Sequence, residues 1–230
     1  GRVEPVDLPS LGIPDEVVYR PKWQIALEQL RRALANGVRF RWLTFDEYYG
    51  GTPQFLRELE ALGQNFVAEV PKSFYGWTQP PEILHRHHAR DGRPPQGRPR
   101  KPKLKVKNAQ VGQVCNVLKH SPLLRKLPWE KFRVKETTHG PLVVEAKRMP
   151  FWIKDADGLP SRAYQLIVVR PVQHPHEIKY FLTNAPESAP LEVLLLVAYS
   201  RWRIERLFED TKGELGMDHF EVRKYLSIRR

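Results

Sequence analysis

Cysteine is almost missing: Cys115 is the only one in 230 residues. That excludes an intramolecular disulfide framework and a cysteine-based zinc cluster, and it fits a reducing, cytoplasmic setting. Long apolar runs are missing too. The longest, "LEVLLLVAY" at 191–199, carries Glu192 and falls far short of the ~20 residues that a membrane span requires. HExxH, Walker A, GxGxxG and GxSxG motifs are absent, so zinc proteolysis, P-loop nucleotide hydrolysis, dinucleotide binding and α/β-hydrolase chemistry lose their usual support. Acidic residues are scarce relative to basic ones. Against 38 Lys and Arg stand 26 Asp and Glu, a formal net charge of +12. Such an imbalance favours a polyanionic partner, because each cation laid on a phosphate releases condensed counterions.

What is present suffices for a real core, since 41% of residues are hydrophobic. Four prolines break any period over residues 1–21. From Lys22 to Asn36, Trp23, Ala26, Leu27, Leu30 and Leu34 recur at helical spacing, and Gly37 supplies a stop. "VRFRWLTF" (38–45) alternates and predicts a strand that ends at Asp46. "PQFLRELEAL" (53–62) predicts a helix opened by Pro53, and "NFVAEV" (65–70) a second strand. Helix, strand, helix and strand with short connections imply a parallel α/β sheet.

The pattern changes after Pro71. "HRHHARDGRPPQGRPRKPKLKVK" (85–107) carries nine Lys or Arg and one Asp, which predicts a solvated basic arm. Segments 143–153, 164–172 and 178–185 are short, β-branched and aromatic, and predict an antiparallel meander. Leu191 to about Gly213 then predicts one long helix. The expected organisation is a partial α/β core over 1–71, a basic, partly disordered arm with a β-rich insertion over 72–185, and a closing helix within 186–230.

Two places could carry chemistry. Asp46 stands where a strand ends, the usual location of functional groups in parallel sheets, though an Asp there also serves as a turn cap. Within "RWRIERLFEDTK" (201–212), Arg201, Glu205 and Lys212 share one helical face over about 17 Å of axis. An ordinary i, i+4 ion pair accounts for Arg201 and Glu205. The surrounding Trp202, Ile204, Leu207 and Phe208 instead suggest a largely buried helix, on which a charged strip needs a reason. Both readings stand on spacing alone. His85, His87 and His88 lie in the basic arm, where metal binding competes with the commoner solvated, partly cationic histidine, and His139, His174 and His176 lie in turns.

"RWRIERLFEDTKGELGMDHFEVR" resembles the closing segment of DDE-type insertion-sequence transposases, in particular the group whose last helix carries a Tyr, Arg, Glu, Lys signature (YREK, the insertion-sequence-four superfamily). "WLTFDEYYGGTPQFLRELEALGQNFVAEVP" is similar to that family's second-aspartate segment, and "GIPDEVVYRPKWQIALEQL" to the stretch before it. The resemblance implies a ribonuclease-H-like α/β core with a mainly β insertion and a closing catalytic helix. It makes Asp46 and Glu205 the catalytic, metal-holding acids of a two-Mg²⁺ site. Arg201, Lys212 and Tyr199 become DNA contacts, and Arg98, Arg100, Lys101, Lys103 and Lys105 of the arm add affinity for double-stranded transposon ends and target DNA. The signature's Tyr is due at the position of Ala198; Tyr199 stands one residue later, about 100° around the helix.

The family's first Asp, on the first strand of the sheet, has no counterpart here: Asp7 and Asp15 precede the first helix in proline-broken chain. The resemblance therefore implies the C-terminal part of a transposase, inactive alone, working as a paired complex of two copies on bacterial, nucleoid-associated DNA. The competing expectations are a decayed transposase that only binds DNA through its basic surface, and another ribonuclease-H-like nuclease such as a resolvase.

Overall fold

The computed structural model describes Pro14 and residues 17–84, 102–105, 111–137 and 140–216. In chain order the elements are helix α1 (Lys22–Ala35), strand β1 (Leu43–Phe45), the single turn α2 (Glu47–Gly50), helix α3 (Pro53–Ala61) and strand β2 (Phe66–Val70). The short strands β3 (Tyr75–Gly76), β4 (Ile83–Leu84), β5 (Lys103–Leu104) and β6 (Gly112–Gln113) follow, then helices α4 (Val114–His120) and α5 (Pro122–Lys126). Strands β7 (Glu130–Thr137), β8 (Gly140–Lys154), β9 (Pro160–Pro171) and β10 (Lys179–Thr183) lead into helices α6 (Leu191–Ser200) and α7 (Trp202–Leu215).

Six strands form one mixed sheet in the order β1-β2-β10-β9-β8-β7. Strands β1 and β2 are parallel, as the helix–strand alternation predicts, and every other pairing in the sheet is antiparallel. The predicted meander is therefore present, and β10 hydrogen-bonds it directly onto β2. Helices cover both faces, as expected of a ribonuclease-H-like core. Strand β2 shows why it must be so: all five of its residues are buried. Phe66, Ala68 and Val70 join Leu27 and Leu30 of α1 and Phe55, Leu56 and Leu59 of α3 in one cluster. Val67 turns the other way, toward Leu194, Leu195 and Ala198 of α6 and Phe181 of β10.

Polar clamps set the register where β10 meets β2. The Asn184 side chain accepts from the Phe66 amide at 2.9 Å and donates to the Gln64 carbonyl at 2.9 Å. The Thr183 hydroxyl donates to the Phe66 carbonyl at 2.5 Å. These bonds satisfy buried backbone groups at the strand's start and fix where the chain leaves for α6.

Three expectations from sequence need correction. The strand predicted over 38–45 is only Leu43–Phe45 long. Its partner β2 begins at Phe66, so the ladder has nothing to pair with earlier, and the Arg39 guanidinium instead donates to the Leu34 and Val38 carbonyls. The single helix predicted from Leu191 divides at Arg201 into α6 and α7. Ser200 donates back to the Val197 carbonyl at 2.7 Å, and the Ile204 amide bonds to the Arg201 carbonyl in a tighter, three-residue turn. Finally, α7 is not a buried helix. None of its residues is buried, and Trp202, Ile204, Leu207 and Phe208 are all exposed, because the helix continues past the edge of the α6 packing surface.

Candidate active site

Asp46 follows the last residue of β1 in extended conformation and caps α2. Its Oδ1 accepts from the amides of Tyr48 (3.1 Å) and Tyr49 (3.4 Å). The turn-cap role is thus realised, and the carboxylate is still exposed. Burial, with the Asp46 charge adding to it, pushes the nearby Tyr49 phenol above its ordinary pKa, so that ring stays neutral beside the acid.

The parallel register ends with Phe45 against Ala68, so Asp46 and Glu69 are the next residues along the two neighbouring chains. Alternation along the strand turns Glu69 to the α6 face, the side of Val67. Here sequence reasoning missed a residue. Glu69 is a carboxylate in the middle of a fully buried strand, its side chain only 10% exposed, and it holds two cations. Its Oε1 meets Lys179 Nζ at 2.7 Å and its Oε2 meets Arg201 Nη2 at 3.8 Å. The signal was legible as an acid at an inward position of "NFVAEV", with basic partners supplied by elements more than a hundred residues away.

Arg201 also donates from Nη1 to Glu205 Oε1 at 2.5 Å, so the i, i+4 pair exists and is joined to the sheet through Glu69. The resulting chain of charges runs Lys179, Glu69, Arg201, Glu205, while Asp46 stands at the carboxyl end of the neighbouring strand β1. Tyr199 lies half-buried against Phe181, ring centroids 6.0 Å apart. Burial, reinforced by the Glu69 carboxylate, pushes its pKa up to about 12.

A second missed residue is Lys135. A register slip in β7 between Arg133 and Lys135 turns its ammonium over the Trp202 ring, 4.1 Å from the centroid. Burial lowers its pKa, while the Glu205 carboxylate acts in the opposite direction, so Lys135 is a further cation beside Glu205. Lys212 is exposed on the Arg201–Glu205 face of α7, two turns beyond Glu205.

Of the arm residues, Arg98, Arg100 and Lys101 lie outside the described residues, as do His85, His87, His88, His139, Asp7 and Asp15. Lys103 lies in β5 and is exposed, and Lys105 pairs with Glu82 at 2.7 Å. In the β9–β10 turn, His174, His176 and Glu177 are exposed with donor atoms within 4.8 Å of one another, a mixed nitrogen and oxygen set. The donors at Asp46 and Glu205 are different in kind: both are exposed carboxylate oxygens, which suit a hard divalent ion rather than a soft metal, and the cations Arg201 and Lys135 stand beside Glu205. Among the described residues no helix is long and apolar enough to cross a membrane.

No curated protein matches the chain. A family model described as DDE superfamily endonuclease matches residues 10–141, which takes in Asp46 and Glu69 and ends before α6 and α7.

Proposed function

The chain belongs to the DDE superfamily endonucleases, a family that typically uses divalent metal ions, and from that premise we propose that it serves a transposase of the YREK group. In this reading it binds double-stranded transposon ends and cuts and transfers their strands with Mg²⁺. The observation that carries the reading is the Arg201–Glu205 pair tied through Glu69 to β2, the strand paired in parallel with the one that leads into Asp46.

Asp46 and Glu205 are the residues that would hold the metal, both acidic, exposed and oxygen-only. Held there, a divalent ion pair would supply activation of the attacking oxygen and stabilisation of the leaving one. The protein's own contribution is positional and electrostatic. Arg201 presents a planar fork suited to two phosphate oxygens, and Lys135 and Lys212 add point charges along the same side of α7. Tyr199, its phenol kept neutral, lines the base of α6 rather than its exposed side. We assign no further acid of the DDE set among the described residues.

The test is Glu205→Gln in the full-length protein with DNA carrying the element's terminal repeats. Strand cleavage should fall by at least ~100-fold, as expected when a group that stabilises only the transition state is lost. Dissociation constants for the same DNA should change less than threefold. Cleavage at the wild-type rate would remove Glu205 from the site. DNA binding with no cleavage by the wild-type protein would favour a binding-only role for its basic surface.

A further inference from the structure

We propose that Glu69 is a positioning residue for Arg201, fixing the guanidinium to the sheet so that its orientation does not depend on Glu205. The inference rests on the reading of the Arg201–Glu205 face as an active site.

A carboxylate buried inside a five-residue strand is costly unless its charge is compensated. Glu69 meets that condition with one cation on each oxygen, and the two cations come from different elements. Lys179 opens β10, and Arg201 sits at the junction of α6 and α7. The guanidinium is in turn divided between two carboxylates. Nη1 reaches Glu205, which is 55% exposed on an unpacked helix, while Nη2 faces Glu69, which the sheet holds rigidly.

A planar fork hydrogen-bonded at one corner and drawn at the other by a second carboxylate 3.8 Å away is more restricted than one paired only with an exposed i+4 partner on its own helix. When Glu205 turns toward another ligand, Arg201 keeps a fixed anchor and stays in place. The junction needs such an anchor because α7 buries no residue of its own, and the helical hydrogen-bond pattern is already irregular at Arg201.

Glu69 is itself held from the opposite side. Gly50, at the end of the turn that Asp46 caps, packs on the Glu69 main chain so closely that no side chain fits between them. Asp46, Glu69, Arg201 and Glu205 therefore form one mechanically continuous unit, in which Glu69 is the member nearest the core.

The test compares Glu69→Gln, Glu69→Asp, Arg201→Lys and the Glu69→Gln/Arg201→Lys double variant in the full-length protein, with Glu205→Gln alongside. The readouts are single-turnover cleavage at saturating end DNA, the dissociation constant for that DNA, and the thermal midpoint. Misplacement of a catalytic cation by about an ångström lowers rates by roughly 100-fold. Glu69→Gln should accordingly cut the cleavage rate 10- to 100-fold with the dissociation constant changed less than threefold. Glu69→Asp, which keeps the charge but draws it back by one methylene, should fall between the two, at least threefold above Glu69→Gln and at least threefold below wild type. In the Arg201→Lys background, where no fork remains to be oriented, Glu69→Gln should cost less than twofold more.

Wild-type cleavage by Glu69→Gln would overturn the proposal. So would an undiminished effect of Glu69→Gln in the Arg201→Lys background, which would make Glu69 merely structural. Should Glu69→Gln fail to fold, the Glu69→Asp rate relative to wild type decides, and no change there counts against the role. Full cleavage by Glu205→Gln would instead remove the active-site reading on which the proposal stands, an outcome separate from failure of Glu69 alone.

Discussion

Replacing Gly50 by alanine should be among the most damaging single-methyl changes in this molecule. Gly50 closes α2 and is buried. A Cβ built there would sit 2.9 Å from the carbonyl carbon of Glu69, nearer still to its oxygen, and 3.4 Å from the Ala68 methyl. The obstruction is the backbone of a central strand, which cannot rotate away as a long side chain can. Relief requires the α2 turn to move outward by roughly an ångström, and overpacking of this kind costs about 1–3 kcal/mol. The same movement stretches the bonds from Tyr48 and Tyr49 to Asp46, and loss of an N-terminal cap costs about 1 kcal/mol more.

The combined effect is about 2–4 kcal/mol, a large share of the ~5–15 kcal/mol that holds a domain folded. With a urea slope of about 2 kcal/mol/M, the denaturation midpoint should fall by about 1–2 M. Far-ultraviolet circular dichroism across a urea series measures it. A midpoint within about 0.3 M of wild type, a shift worth under 1 kcal/mol on the same slope, would refute the packing argument, and with it the claim that the Asp46 turn is seated on Glu69.

Two further outcomes are expected. Gly213→Ala, in exposed α7 with nothing near its would-be Cβ, should stabilise by about 0.5–1 kcal/mol and raise the same midpoint, because Ala loses less backbone entropy in a helix; a lower midpoint would show that the site is not open. Tyr199 has a folded-state pKa raised to about 12 from 10.0, so the native state keeps a proton that the unfolded chain releases between those values. The stability this confers is fully present below pH 10 and should be lost as pH rises toward 12. Tyr199→Phe should flatten that part of the stability–pH curve, and an unchanged slope would contradict the assignment.

The local elements were legible in the sequence because their physics is local. The 3.6-residue recurrence in α1 and the β-branched meander, with its turns between strands, depend on neighbours a few residues away, and they fold as their patterns predict. The Arg201–Glu205 spacing fixes an i, i+4 pair wherever that helix lies. Segment 130–137 gave no such signal, and its pairing as β7 against β8 emerged only in the sheet.

Burial and partnership could not be read this way. The apolar residues of α7 suggest a buried helix, but whether a face is covered depends on what else packs there, and the described contact of Lys135 with Trp202 leaves none of them buried. Glu69 looks like an unremarkable acid in a strand until β10 and the α6–α7 junction bring Lys179 and Arg201 to its two oxygens. Lys135 is one basic residue among many until a slip in β7 turns it onto Trp202. The sequence by itself determined which residues carry charge and which segments become helix or strand. Tertiary structure alone decided which carboxylate each cation faces, because ion pairs across 110 and 132 residues of chain are set by sheet order and not by spacing.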